Sequence, residues 1–286
     1  MTFLRKSGLH YAWVVLAAAC VCSMLSRADS ASFAVFVDPL VEKFGWMRGD
    51  ISLAYSLAFI AGMPAMLTVG WLADRYGARV LLIGASVMIS AGTALLGTIR
   101  ELWQFYLLYG LFVGALGHAV FSVLLPVIMT RWFEKKMGLA LGIYWGALGA
   151  GPVVFAPLFR WMIETRGWES AFTVIGVAFG VILLAFSSLI RSSPGDMGLT
   201  AYGAEDSKGT QPSGVRGATA SLRSLMSRRP VWLLMGCHHL GCAGHAVILA
   251  HGVSMATHHG IPGLQAAGVL STIAGVSIVS RFAFSL

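Results

Sequence analysis

Eight stretches of this 286-residue chain stay apolar for about twenty residues or more, and that constrains its fold before anything else does. They cover residues 11–36, 51–73, 79–99, 103–130, 138–160, 168–190, 231–257 and 264–286. Hydrocarbon offers no hydrogen-bond partners, so the backbone of each such stretch must pair within itself as a helix. Composition agrees: only 11% of residues are charged, against about a quarter in an ordinary soluble domain. The first stretch follows Arg5 and Lys6 in the manner of a secretion signal. Its apolar character resumes from Phe33 to Val37, however, so a retained span is expected. The expected fold is an all-α, polytopic transmembrane helix bundle.

A net charge of +8 raises the question of nucleic acid. The basic residues answer it by sorting to one side. With the N-terminus inside, thirteen lysines and arginines fall on the inner side, including Arg75, Arg79, Arg131, Lys135 and Lys136. Five fall outside: Lys43, Arg48, Arg100, Arg160 and Arg166. That asymmetry is the positive-inside bias of a membrane protein and calls for no nucleic-acid partner. Arg27 and Arg281 remain, each within a span. The cysteines (Cys20, Cys22, Cys237, Cys242) lie in apolar runs, which excludes a disulfide scaffold.

Three regions are expected: a six-helix N-terminal lobe over 1–190, a cytoplasmic linker rich in Ser, Gly and Arg over 191–230, and two further spans over 231–286. A six-span unit, a long inner loop and the start of another unit point to a two-lobed carrier. A weak internal echo supports duplication. "FGWMRGDISLAYSLAFIAG" (44–62) and "HGIPGLQAAGVLSTIAG" (259–275) both run from an outer Gly into an Ala-Gly pair before or within a span. On that echo a second copy of the motif at Gly70 would begin near Ala283, and the expectation is a piece of a longer protein.

"GWLADRYGARVLL" (70–82) joins spans 2 and 3. Gly70 permits close helix approach, Gly77 the tight turn, and Asp74 can accept hydrogen bonds from a neighbouring helix N-terminus. With Arg75 and Arg79 these residues fit G-x-L-a-D-r-x-G-x-[RK]. The stretch resembles the signature loop of the major facilitator superfamily, which implies a complete six-helix N-terminal lobe, about two helices of a C-terminal lobe, and a loop that gates the two lobes. "YAWVV" (11–15), "RWFEKKMGLALGI" (131–143) and "SPGDMGLTAYG" (193–203) resemble elements of its monocarboxylate and oxalate/formate-type branch.

The residues expected to carry chemistry are those buried in spans. Arg281 sits where that branch places a span-8 arginine on the substrate carboxylate, a role suited to a bidentate guanidinium. Arg27 and Asp29 share span 1 but, two residues apart on a helix, do not face each other. Arg27 is a second candidate anion ligand. Asp29, able to hold a proton when desolvated, is the candidate for proton coupling. The branch's span-1 lysine position falls on Ala31 here. Span 7 carries "GCHHLGCAGHAVILAHG", in which His251 comes nearest to a span-7 histidine of such carriers. The Cys and His spacing there does not repeat as a metal site, and no metal is expected. His118 in span 4 and Tyr144 in span 5 complete the substrate-binding candidates. No nucleotide-binding glycine loop or nucleophile–base set is present, so neither catalysis nor a cofactor is expected.

The expected function is secondary active transport of a small organic anion, a mono- or dicarboxylate, across the cell membrane of a bacterium. The full-length form is expected to be a monomer, coupled by antiport or proton symport. The alternatives are a drug or metabolite exporter of the same superfamily, and a non-transporting membrane fragment. Topology is the first test. A cysteine at Arg75 should react with an impermeant maleimide only from the cytoplasmic face, and one at Arg100 only from outside; the reverse pattern contradicts the assignment.

Overall fold

The computed structural model describes residues 10–31, 33–204 and 227–237, together with 240, 241, 244, 259, 260, 276 and 280; the side chains of 29–31, 33–35, 152, 153 and 156 lie outside the description. The chain divides into a unit ending at Asp206 and another beginning at Ser207. Among the described residues there is no strand, only an isolated parallel bridge between Phe133 and Tyr202. Within the second unit, residues 229–237 are helical.

The first unit is a helical bundle. Its helices are α1 (Tyr11–Ala31), α2 (Phe33–Phe44), α3 (Arg48–Tyr76), α4 (Ala78–Leu96), α5 (Leu102–Trp132), α6 (Met137–Arg166) and α7 (Trp168–Leu189). Five hold segments long and apolar enough to cross a bilayer: Tyr11–Ala28 in α1, and α3, α4, α5 and α7 entire. A sixth apolar segment, Met137–Gly151, opens α6. α3, α5 and α6 outrun the apolar stretches read from sequence, whereas α4 and α7 end one to three residues early and α1 ends at Ala31, short of the expected 11–36 span, with α2 following from Phe33. Charged residues such as Arg48, Asp74 and Arg166 extend α3 and α6 into the polar layer without breaking backbone hydrogen bonds.

Lipid is as apolar as leucine, so helices in a membrane are held chiefly by close packing of small residues. The α4–α7 contact shows this. A Cβ on Gly176 would run into the Ala94 backbone, one on Gly180 into Ser90, and one on Gly97 into the Glu169 carbonyl. Ser90 Oγ uses the proximity to donate to the Gly176 carbonyl at 2.9 Å. Gly110 and Gly114 do the same for α5 against Ala54 and Ala58 of α3, and Gly151 seats α6 against Met24 of α1.

A short polar chain crosses this dry interior. Ser86 Oγ donates its one hydrogen to the Leu82 carbonyl at 2.7 Å, so in the 3.0 Å contact with Ser187 it must accept. Ser187 thereby receives from Cys22 Sγ, 3.6 Å away. Three helices, α1, α7 and α4, are thus joined with each hydroxyl satisfied, as burial requires.

The three branch-like sequence elements meet in one knot. Trp13 packs 5.3 Å from the Phe133 ring and 5.6 Å from that of Tyr202, and Tyr11 lies 5.6 Å from Trp132. The Tyr202 N–H donates to the Trp132 carbonyl, and its own carbonyl receives the N–H groups of Glu134 and Lys135. Tyr11 Oη donates to the Leu189 carbonyl, which the end of α7 leaves without a helical partner, and Trp132 Nε1 donates to the carbonyl of Arg191 just beyond it. Gly203, at φ +89°, closes against Lys135 where a side chain would not fit.

Two substitutions separate packing from helix propensity. Gly176→Ala should cost about 1–3 kcal/mol through overpacking, whereas Gly84→Ala, with nothing within 4 Å of its Cβ, should leave stability unchanged or raised. Thermal unfolding in detergent, followed by tryptophan fluorescence, measures both.

Candidate functional site

Of the sequence candidates, the structure brings Arg27 and His118 together. Arg27 is carried by α1 and His118 by α5, ninety-one positions later. Arg27 Nη1 stands 3.0 Å from His118 Nε2. Ser122 Oγ, one turn beyond His118 on the same face of α5, lies 3.0 Å from that same nitrogen. No carboxylate among the described side chains, which do not include that of Asp29, comes within ion-pair distance of Arg27.

This group opens on a cavity of about 150 Å³ between α1, α3 and α5. Arg27 and His118 form its polar end. Phe59, Met63 and Met66 of α3 form an apolar wall, and Tyr55 and Tyr109 also line the cavity. The close approach of α3 to α5 at Gly110 and Gly114 sets its width. Chemically the arrangement suits an anion: a fixed guanidinium in an apolar, partly enclosed space, where its charge is weakly screened.

The backbone beneath His118 is unusual. Tyr106–Gly117, within α5, is π-helical, and the α-helix resumes at His118 itself. Extended π-helix is rare, and π-bulges inside α-helices gather at functional sites.

The loop between α3 and α4 forms a second polar locus. Gly77, at φ +84°, ends α3 and starts α4, its N–H donating to the Ala73 carbonyl at 2.9 Å. Asp74, Arg131, Ser192 and Asp196 face a cavity of about 460 Å³ there. The Arg75 guanidinium carbon lies 5.6 Å from the centroids of both Trp71 and Tyr76, cation–π distances. No hydrogen bond or ion pair joins Asp74 to Arg79 among the described residues. A Cβ on Gly70 would meet nothing within 4 Å, so the close approach this glycine permits is not made inside the first unit.

Tyr144 is buried, 1% exposed, its ring 5.2 Å from that of Trp145. It does not line the Arg27 cavity. Asp29 belongs to α1, but its side chain is outside the description, and Arg281 and His251 lie outside the described residues altogether. No group of three or more metal-ligating side chains occurs among the described residues.

Sequence reading missed Ser122 and the α3 wall. Ser122 was within reach, since i and i+4 share a helix face. The wall was not: Phe59, Met63 and Met66 look like any lipid-facing residues until the fold places them.

Known proteins are similar in a consistent way. A family model described as Major Facilitator Superfamily matches residues 19–286. The chain is 26% identical over 191 residues to the oxalate:formate antiporter of Oxalobacter formigenes, covering 67% of this chain and 44% of that protein. It is 29% identical to monocarboxylate transporter 11 of Mus musculus over 58% of this chain and 37% of that one. With monocarboxylate transporter 13 of Rattus norvegicus it shares 24% over 96% of this chain and 60% of that one. The chain thus spans less than two thirds of each of these relatives. A solved major facilitator superfamily proton:xylose symporter, bound to 6-bromo-6-deoxy-D-glucose, matches with a TM-score of 0.55 and 17% identity. That match covers 64% of this chain and 46% of the symporter, and it shows the fold.

Proposed function

Because this chain belongs to the major facilitator superfamily and is an integral membrane protein, we propose that its full-length form transports a small organic anion, a mono- or dicarboxylate, by alternating access. The single observation that carries this reading is Arg27, a guanidinium on a membrane-spanning helix, facing a cavity with no carboxylate among its described lining residues. An arginine within a membrane span costs up to about 2.5–3.5 kcal/mol on the mild insertion scale, the most at the bilayer centre. A site that bears this cost and leaves the charge on a cavity is suited to an anionic cargo. The names of the relatives, an oxalate:formate antiporter and monocarboxylate transporters, support the same class.

In this reading residues 1–190 form one lobe, 191–230 the cytoplasmic linker and 231–286 the opening of the second lobe. The carboxylate is held between Arg27 and Arg281, with His118, His251 and Tyr144 along the route. Asp29 takes part in proton coupling. Gly70, Asp74, Arg75, Gly77 and Arg79 close the inner side by engaging the second lobe, which agrees with the open surface at Gly70 and Asp74. The N-terminus lies in the cytoplasm and the membrane is a bacterial inner membrane.

Uptake of labelled oxalate, formate and lactate by proteoliposomes holding the full-length protein tests this. Arg27→Gln and Arg281→Ala should each lower carboxylate uptake at least about tenfold, the scale of a lost charge-assisted hydrogen bond. Unchanged uptake in both variants removes the anion assignment, and efflux of uncharged or cationic compounds with no carboxylate uptake favours an exporter. Retained pH dependence in Asp29→Asn removes Asp29 from the coupling.

A further inference from the structure

The anion reading assigns Arg27 to the cargo, and the role of His118 argued here rests on that reading. Within the protein itself Arg27 already has a partner. A guanidinium only donates, so in the 3.0 Å contact with His118 it is Nε2 that accepts, which makes the imidazole neutral with its hydrogen on Nδ1. Nε2 has one in-plane lone pair. Ser122 Oγ lies 3.0 Å from the same atom, so two donors address a single acceptor.

We propose that His118 is an internal competitor for Arg27 and not a ligand of the anion. It holds the guanidinium at the cavity's polar end in competition with the carboxylate. The anion binds by taking Arg27 away, and the Ser122 hydroxyl then donates to the vacated Nε2. The exchange has a direction. A carboxylate offers two charged acceptors to a guanidinium, whereas imidazole offers one neutral acceptor. It also leaves the vacated Nε2 matched, because Ser122 Oγ is already 3.0 Å away; unmatched acceptors are what make such exchanges costly. Ser122 is therefore a positioning residue that acts through His118. Among the described residues Arg27 is the one cation lining the cavity, and the facing wall of Phe59, Met63 and Met66 is apolar. The cargo class that fits this end is a compact carboxylate whose remainder carries no second charge here.

The competitor and ligand roles predict opposite signs. The assay is the rate at which phenylglyoxal modifies Arg27, read by mass spectrometry on the full chain in carboxylate-free detergent solution, with formate, lactate and oxalate as protecting probes. His118→Leu and His118→Ala should make Arg27 about tenfold more reactive in the absence of any anion and let the protecting anion act at about tenfold lower concentration. His118→Gln, whose amide oxygen can accept from Arg27, should behave as wild type; it also controls for folding, alongside a monodisperse elution profile. Ser122→Ala should raise the protecting concentration about threefold, and that effect should vanish in the His118→Leu background. Equal Arg27 reactivity in wild type and His118→Leu overturns the competition, whatever the anion. Weaker protection in His118→Leu overturns it also, and makes His118 a direct ligand. Raised reactivity with no protection by any carboxylate in any variant overturns the anion reading itself, and the competitor role with it.

Discussion

Arg27 carries a full charge into a largely apolar membrane-spanning helix, and hydrocarbon tolerates such a charge only when the protein answers it. The answer here is local and specific: an imidazole nitrogen 3.0 Å away and a cavity at the polar end of which the guanidinium sits. Most of what is distinctive in the first unit bears on keeping that arrangement in place. The glycines of α5 let α3 come close enough to wall the cavity, and the π-helical stretch ends one residue before His118, which meets Arg27.

The rest of the bundle is held by means that leave the cavity alone. The α4–α7 contact is made by glycine against backbone and by serine hydroxyls that satisfy one another, so it needs neither water nor charge. At the end of the unit that carries Arg131 and Lys135, the aromatic knot of Trp13, Trp132, Phe133 and Tyr202 ties the chain beyond α7 back onto α1 and α5. At the other end the helices are joined by ion pairs such as Arg48–Asp38 at 2.7 Å, whose exposed side chains contribute little stability. Rigidity is concentrated where packing is dry, and charge where water reaches.

Sequence reading reached the fold because length and hydropathy in a membrane leave few choices. It located α3, α4, α5, α6 and α7 to within a turn or two, and the Gly77 turn from its motif. It also named Arg27 and His118, for one reason: each is a polar residue with no business in lipid. It did not pair them, because ninety-one residues separate them and no local spacing encodes the contact. The aromatic knot was visible only as three unconnected motifs, since ring contacts between distant segments depend on the tertiary fold. The π-helix was invisible as well; "YLLYGLFVGALG" has the composition of any glycine-rich apolar helix, and the wider turn is a property of how it packs.

The central claim is that water and anions reach the Arg27 cavity while the outer faces of the bundle meet only lipid. Cysteines placed singly at Gly62, beside the cavity, and at Val181, on the exposed face of α7, test it in a full-length protein stripped of native cysteines and held in native membranes. A small, charged, impermeant thiol reagent should modify the cysteine at 62 and spare the one at 181, with Arg27→Gln slowing the reaction of an anionic reagent more than that of a cationic one. Equal protection of both positions, or labelling at 181 alone, would contradict the account.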